Sequence, residues 1–178
     1  MRKLKLEELG RLSPQEFRNS PKVPFVLVLN NIRSLNNVGS AFRTADAFRI
    51  EKVILCGITG KPPHREIQKT ALGATETVEW SYEIDGVEVV KKLKNQGYRI
   101  ISVEQTTKSI PLHHFKIESN SKIGVVFGNE VDGVDLGIIK ESDQILEIPQ
   151  LGTKHSLNVA VSIGIVLWDI SVKGGYIK

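Results

Sequence analysis

The chain has 178 residues, of which 40% are hydrophobic and 25% charged, the ordinary balance of a soluble globular protein. Its net charge of +4 permits a polyanionic partner such as RNA but does not establish one. A single cysteine, Cys56, excludes an internal disulfide, fits a reducing compartment and is expected to be a buried thiol at a strand end. With no signal core and no run of ~20 apolar residues, the sequence predicts one cytoplasmic domain over residues 1–178, without a membrane partner.

Short apolar runs alternate with helical patterns along the chain. Residues 1–24 are a short N-terminal extension, in which Ser13-Pro14 predicts a helix start. The predicted strands are Phe25–Leu29, Lys52–Cys56, Val78–Trp80, Arg99–Val103, Ile123–Phe127 and Gln144–Ile148. The predicted helices are Asn37–Phe48, Arg65–Leu72, Gly86–Asn95, Leu136–Ser142 and Ser156–Val172. Because most strands are nearly continuous apolar runs, we expect an α/β fold of three layers around a mostly parallel sheet.

The first polar cluster follows the strand that ends at Leu29 and runs from Asn30 into the helix Asn37–Phe48. Loops at the carboxyl ends of parallel strands are where such folds place their sites. Asn36 is the expected N-cap of the helix. Arg43 stands among small and apolar residues, so its side chain either extends to solvent or is held at an anionic site. Both interpretations stay open.

The second polar cluster begins where the strand Ile123–Phe127 stops at Gly128. A glycine at this point lets a ligand approach the backbone closely. The simplest interpretation of the segment is a strand-to-helix turn with Asp135 as the helix cap. A metal site built from Glu130, Asp132 and Asp135 is the alternative, but the spacing lacks the ligand number of a calcium loop, so we expect no metal.

The third cluster joins a strand end at Ile148 to an apolar helix through a glycine-bearing loop that ends at His155. Ser156 is the expected N-cap, with Asn158 in the first turn, where free N–H groups can hold a ligand. The apolar face from Leu157 to Trp168 is typical of a core or a subunit interface. The chain has no dinucleotide fingerprint, phosphate loop or nucleophile elbow, which disfavours an unrelated doubly wound nucleotide-binding protein.

In their order and spacing, the three clusters resemble the motifs of the SpoU branch, also called the TrmH family, of the SPOUT RNA methyltransferases. The segments that carry the resemblance are Asn37–Ala45, Phe127–Gly133 and Ile148–Val161, within a match from about Phe25 to Trp168. The resemblance implies a C-terminal deep trefoil knot over about residues 122–172, S-adenosylmethionine as the cofactor, and a homodimer. It also implies methyl transfer to a ribose 2′-OH of RNA, with tRNA favoured over rRNA because the chain is compact. A non-catalytic knotted RNA-binding relative is the alternative.

The resemblance further assigns roles to individual residues. The catalytic set that it implies is Asn37, Arg43, Glu130, Ser156 and Asn158. The cofactor-binding set is Val103, Glu104, Gly128, Ile148 and Leu157. The family pattern gives Arg43 the task of the base, with Asn37 orienting it. Since the pKa of a guanidinium exceeds ~12, an electrostatic role on a phosphate or alkoxide is physically safer.

RNA must also be held by basic side chains of the chain itself. The candidates are Arg33, His64, Arg65 and Lys69, with Arg2, Lys3 and Lys5 from the N-terminal extension. A solvated helix face is an equally good interpretation of the segment that carries His64, Arg65 and Lys69.

Overall fold

The computed structural model describes residues 1–177 and contains, within them, seven strands in one sheet. The strands are β1 (Val23–Asn30), β2 (Ile50–Cys56), β3 (Glu79–Glu83), β4 (Arg99–Val103), β5 (Ile110–Pro111), β6 (Ile123–Phe127) and β7 (Gln144–Glu147). Their order across the sheet is β3-β2-β1-β6-β4-β7-β5, and every pairing is parallel. The predicted α/β fold with a mostly parallel sheet is confirmed.

Helices cover both faces of this sheet. They are α1 (Pro14–Asn19), α2 (Leu35–Ala47), α3 (Arg65–Ala71), α4 (Ala74–Thr77), α5 (Gly86–Asn95), α6 (Leu136–Glu141) and α7 (Val159–Lys173). Two short 3-10 helices lie at Leu6–Leu9 and Leu112–His114. One core joins the sheet to α1, α2, α3, α4 and α7, and a second core joins its other face to α5 and α6. The result is three layers, as the continuous apolar strands predict.

The central strand β1 illustrates why the strands are apolar throughout. Phe25, Leu27 and Leu29 point into the core beneath α2 and α7. Val26 and Val28 alternate with them and point into the opposite core. Since successive side chains of a strand face opposite sides, burial of both faces requires an apolar residue at every position.

Two predicted helix starts are wrong, and the reason is the same in both. Helix α7 begins at Val159 rather than Ser156, because the Asn158 side chain is the one that accepts hydrogen bonds from the first free N–H groups. Helix α2 is likewise capped by Ser34, whose hydroxyl accepts from the N–H of Asn37, and not by Asn36. Each segment offers two residues that can cap, and sequence does not decide between them.

The N-terminal extension contains the helix that Ser13-Pro14 predicts. The Ser13 hydroxyl accepts from the N–H of Glu16, and the Glu16 carboxylate accepts from the N–H of Ser13, so a reciprocal cap begins α1. Earlier in the extension, Arg2 forms an ion pair with Glu8 at 2.6 Å. None of the helices within residues 1–177 has the length and apolar character needed to cross a bilayer.

Candidate functional site

A cavity of about 690 Å³ opens at the carboxyl edge of the sheet, where β4, β6 and β7 end beside the loop that precedes α7. All five predicted cofactor positions line it: Val103, Glu104, Gly128, Ile148 and Leu157. Three predicted catalytic residues line it as well: Glu130, Ser156 and Asn158. The structure therefore brings together segments that lie up to 55 residues apart in the chain, from residue 103 to residue 158.

The turn that follows β6 forms one wall of this cavity and is held by its own hydrogen bonds. Asn129 and Gly133 exchange two backbone hydrogen bonds of 2.9 and 3.0 Å, and Gly133 has a φ of 72°. The Asn129 side chain accepts from two N–H groups within the turn and donates to the carbonyl of Asn31 at 2.8 Å. At Gly128 an added Cβ would lie 2.2 Å from the Gly133 carbonyl carbon, so only glycine fits there.

Glu130 projects from this turn and connects the three polar clusters. Its carboxylate accepts from the N–H of Arg33 at 2.9 Å, the N–H of Ser34 at 3.0 Å and the side-chain amide of Asn37 at 2.9 Å. The Asn37 oxygen in turn accepts from the side chain of Asn158 at 3.2 Å. A continuous hydrogen-bonded path thus crosses from the second cluster through the first to the third.

The same contacts set the ionisation of Glu130. Partial burial raises the pKa of this carboxyl, but the hydrogen bonds from Arg33, Asn37 and Ser34 outweigh burial and leave the pKa below its ordinary value. Glu130 is therefore a carboxylate at neutral pH, with its oxygens already engaged by N–H donors.

Arg43 does not join this cluster within one copy of the chain. The Asn37 side chain donates to Glu130 and accepts from Asn158, and no hydrogen bond joins it to Arg43 within one copy of the chain. The Arg43 side chain is exposed and forms no hydrogen bond or ion pair with residues 1–177. It borders a second cavity of about 790 Å³, which Trp168 also lines.

The acidic residues of the second cluster are engaged separately. Asp135 occupies the N-cap position of α6, but the predicted capping bond is wrong, because its carboxylate instead accepts from the side chains of Asn30 at 2.8 Å and Asn31 at 3.3 Å. Glu130 accepts from α2 and the loop before it. Nowhere in the described part of the chain do three or more His, Cys, Asp or Glu side chains gather at a possible metal position.

The four basic candidates for RNA contact lie on neighbouring surface segments. Arg33 is exposed in the loop whose N–H groups bind Glu130, so it adjoins the first cavity. His64 accepts from the N–H of Glu66 and caps α3, while Arg65 and Lys69 are exposed on that helix. Helix α3 packs against α2, the helix that supplies Asn37.

Gln105, the second residue after β4, belongs to none of the three polar clusters. Its side-chain amide donates to the carbonyl oxygen of His155 at 2.9 Å and so reaches the loop before α7. Both residues line the first cavity. A lone glutamine after a strand belongs to no motif, and no pattern in the sequence indicates this contact.

Comparison with known proteins agrees with this arrangement. The model of the SpoU rRNA Methylase family matches residues 24–168. The 23S rRNA (guanosine-2′-O-)-methyltransferase RlmB of Neisseria meningitidis is 32% identical over 149 residues, which are 84% of this chain and 58% of that protein. An uncharacterized tRNA/rRNA methyltransferase of Borreliella burgdorferi is 31% identical over 176 residues, which are 94% of this chain and 76% of that protein.

A solved structure has the same fold. The AdoMet-bound rRNA methyltransferase from Sinorhizobium meliloti superposes with a TM-score of 0.79 at 24% identity, over 91% of this chain and 61% of that one. The family model covers the whole span that contains the three polar clusters, and the second and third of these clusters line the cavity. The chain therefore belongs to the SpoU rRNA methylase family.

Proposed function

We propose that the protein is an S-adenosylmethionine-dependent methyltransferase that acts on a ribose 2′-OH of RNA. The observation that carries the proposal is the cavity lined by the second and third clusters, to which the first cluster is joined by the path from Glu130 through Asn37 to Asn158. The printed activity of the Neisseria relative supports the reaction class. That relative is longer, since this chain spans 58% of it, so its activity extends to this chain only as a proposal.

The first cavity fits a cofactor of nucleoside size. Its volume of about 690 Å³ lies within the range of small-molecule sites. Gly128 brings backbone close to the space, and Ile148 and Leu157 supply apolar contact beside it. We assign these three residues, with Val103 and Glu104, to cofactor binding. When bound, S-adenosylmethionine supplies a methyl group on a sulfonium, an electrophile that needs no metal.

The protein must help a ribose hydroxyl lose its proton, because the neutral hydroxyl is a poor nucleophile. Glu130 is unsuited to accept that proton, since its oxygens already accept three N–H groups and its pKa is lowered. We assign it instead to positioning Asn37 and the loop before α2. Ser156 and Asn158 line the same space and are placed to shape the ribose pocket.

Arg43 completes this site from a second copy of the chain, as we propose. Helix α7 leaves an apolar stripe exposed to solvent, at positions i, i+4, i+7 and i+11. It consists of Val161 (51% exposed), Ile165 (37%), Trp168 (55%) and Val172 (44%). Such a stripe favours coverage by another protein surface, and Trp168 borders the same cavity as Arg43. A homodimer through this face would bring the Arg43 guanidinium of one copy to the cavity of the other, where it would stabilise phosphate or alkoxide charge.

Mixed dimers test this assignment of Arg43. Arg43→Ala and Glu130→Ala chains, each of which we expect to be inactive alone, are co-expressed with different tags and the mixed species is isolated. If Arg43 acts across the interface, the mixed dimer regains activity at one site, which combines the intact cavity of the Arg43→Ala chain with the Arg43 of its partner. No recovery of methyl transfer in a verified mixed dimer would contradict the assignment.

We also infer that about residues 122–172 form the trefoil knot. Strand β6 enters the sheet between β1 and β4, and β7 enters between β4 and β5, so the last third of the chain interleaves with earlier strands. Helices α6 and α7, on either side of β7 in sequence, cover opposite faces. An experimental structure in which α7 can be pulled free without passing through a loop would contradict this inference.

The RNA substrate is proposed at the level of class. Arg33, Arg65 and Lys69 are exposed beside α2 and suit contact with phosphates, which depends on charge and weakens with salt. We propose tRNA as the substrate, with rRNA as the alternative. The name of the Borreliella relative covers both.

The central experiment measures cofactor binding and methyl transfer separately. Calorimetry with S-adenosylhomocysteine tests the cavity, and tritium transfer from labelled S-adenosylmethionine to purified tRNA and rRNA tests the reaction. We expect the wild type to bind S-adenosylhomocysteine and to transfer the methyl group to tRNA. Arg43→Ala should lose methyl transfer but keep S-adenosylhomocysteine binding. The matched control, Arg18→Ala on α1, should keep both. No binding at high micromolar ligand would refute the proposal, and binding without transfer to any RNA would favour a non-catalytic RNA-binding relative.

A further inference from the structure

The two residues that follow β4 reach opposite walls of the first cavity. The Glu104 carboxylate accepts from the N–H of Val134 at 2.9 Å, where the turn after β6 closes. The neighbouring Gln105 side chain donates to the carbonyl of His155 at 2.9 Å, in the loop before α7. One dipeptide thus connects the rigid end of a central strand to both segments that enclose the proposed cofactor.

The Glu104 contact is closely fitted. Its second oxygen accepts from the N–H of Gln105 at 2.8 Å, so both carboxylate oxygens are engaged. An added Cβ on Gly133 would lie 2.1 Å from the first oxygen, so the glycine of the turn leaves room for this carboxylate. The turn at Gly133 is also held by its own hydrogen bonds with Asn129. Glu104 therefore adds one contact to a wall that is already rigid.

The opposite wall depends far more on its single contact. Residues 150–157 adopt no helix or strand, and all of them except the partly buried Gln150 are exposed. Among residues 1–177, the Gln105 amide is the one hydrogen-bonding partner that any of these eight residues has. This loop nevertheless supplies Ser156 and Leu157 to the cavity.

We infer that Gln105 is a positioning residue, which holds the loop of residues 150–157 against the cofactor cavity. The expected effect on cofactor affinity rests on the proposed function. The contact by which Gln105 holds the loop does not depend on any ligand. Removing one neutral hydrogen bond leaves the loop in its binding position less often, and we expect about fivefold weaker cofactor binding. The core is untouched, so the stability of the fold stays the same.

Two measurements on the full-length protein test the inference, with Gln105→Ala, Gln105→Glu and the control Gln96→Ala. Trypsin cleaves after the exposed Lys154, directly before His155, and cleavage reports how often the loop opens without any ligand. Calorimetry with S-adenosylhomocysteine reports affinity. Gln96 lies at the end of α5, and its side chain makes no hydrogen bond to residues 1–177.

We expect Gln105→Ala to accelerate cleavage at Lys154 about fivefold and to weaken the binding of S-adenosylhomocysteine about fivefold. Its urea midpoint of unfolding should equal that of Gln96→Ala. Gln105→Glu should have at least the same effect, because a carboxylate cannot donate to the His155 carbonyl. In turnover the KM for S-adenosylmethionine should rise while kcat is retained. Cleavage equal to that of Gln96→Ala would overturn the inference, and so would faster cleavage with unchanged affinity. If the wild type binds no S-adenosylhomocysteine, the proposed function fails while cleavage still decides whether Gln105 holds the loop.

Discussion

Replacing Glu130 with glutamine should destabilise the protein although the side chain keeps its size. The carboxylate accepts N–H groups from Arg33, Ser34 and Asn37 at 2.9, 3.0 and 2.9 Å. A carboxamide has one acceptor oxygen, so whichever way it is turned its NH₂ group faces at least one of these donors. A hydrogen bond to a charged group is worth about 1.5–3 kcal/mol, and solvent exposure reduces it, so we expect a loss of about 1–2 kcal/mol.

Urea unfolding between pH 7 and pH 3 measures this loss and its pH dependence. Partial burial raises the pKa of Glu130 and the hydrogen bonds lower it by more, so the folded pKa lies below the ordinary value of 4.5. A lowered folded pKa means that the ionised carboxyl stabilises the fold above the unfolded pKa, and that this contribution is lost as the pH falls through the folded pKa. The gap between wild type and Glu130→Gln should therefore be constant from neutral pH to about pH 5 and shrink below 4.5.

The matched control is Glu118→Gln, since Glu118 is exposed and its carboxylate has no hydrogen-bonding partner in residues 1–177. Its unfolding free energy should stay within about 0.5 kcal/mol of wild type. The reasoning is refuted if Glu130→Gln and Glu118→Gln unfold at the same urea concentration. It is refuted equally if the gap for Glu130→Gln persists unchanged at pH 3.

Three further predictions follow from the same contacts. Gly128→Ala should weaken the binding of S-adenosylhomocysteine about tenfold or more, because the added Cβ would lie 2.2 Å from the Gly133 backbone. Gly152→Ala is the control and should bind normally, since nothing lies within 4 Å of its added Cβ. Equal affinities of the two variants by calorimetry would contradict this prediction. Asn158→Ala should lower the unfolding free energy, measured in urea, by about 1 kcal/mol, because Asn158 caps α7. Asn36→Ala should leave it unchanged, because Ser34 caps α2. A larger loss for Asn36→Ala than for Asn158→Ala would contradict this prediction. Burial is the main cause that raises the pKa of Cys56 to about 12, and the charges of Glu83 and Asp85 add to it. Iodoacetamide at pH 8 should therefore label Cys56 only when urea unfolds the protein. Rapid labelling of the native protein would contradict the buried position of this thiol.

The fold class could be predicted because burial leaves a direct mark on composition. A strand covered on both faces is apolar at every position, and β1 and β6 are the clearest examples. Short elements leave no such mark. Strand β5, with two residues, and helix α4, with four, are too short for their side-chain periodicity to repeat. Strand order is also invisible, since no local feature requires β6 to lie between β1 and β4.

The site was predictable as far as it lies at the carboxyl ends of parallel strands. That rule alone brings Gly128 and Ile148 to one edge, and the structure places both on one cavity. It does not specify which side chains bond to one another. The Glu130–Asn37 contact spans 93 residues and the Gln105–His155 contact spans 50, and each depends on where two loops happen to face.

The separation of Asn37 from Arg43 follows from helix geometry. Six residues at about 100° each turn the Arg43 side chain by about 120° from that of Asn37 and move it about 9 Å along the axis. Asn37 faces Glu130 and Asn158, so Arg43 must face another surface, the one that it shares with Trp168. One short helix therefore carries Asn37, which contacts two residues of the first cavity, and Arg43, which lines the second. Within one copy only Asn37 forms side-chain hydrogen bonds, and the proposed homodimer would cover the exposed stripe of α7 beside Arg43.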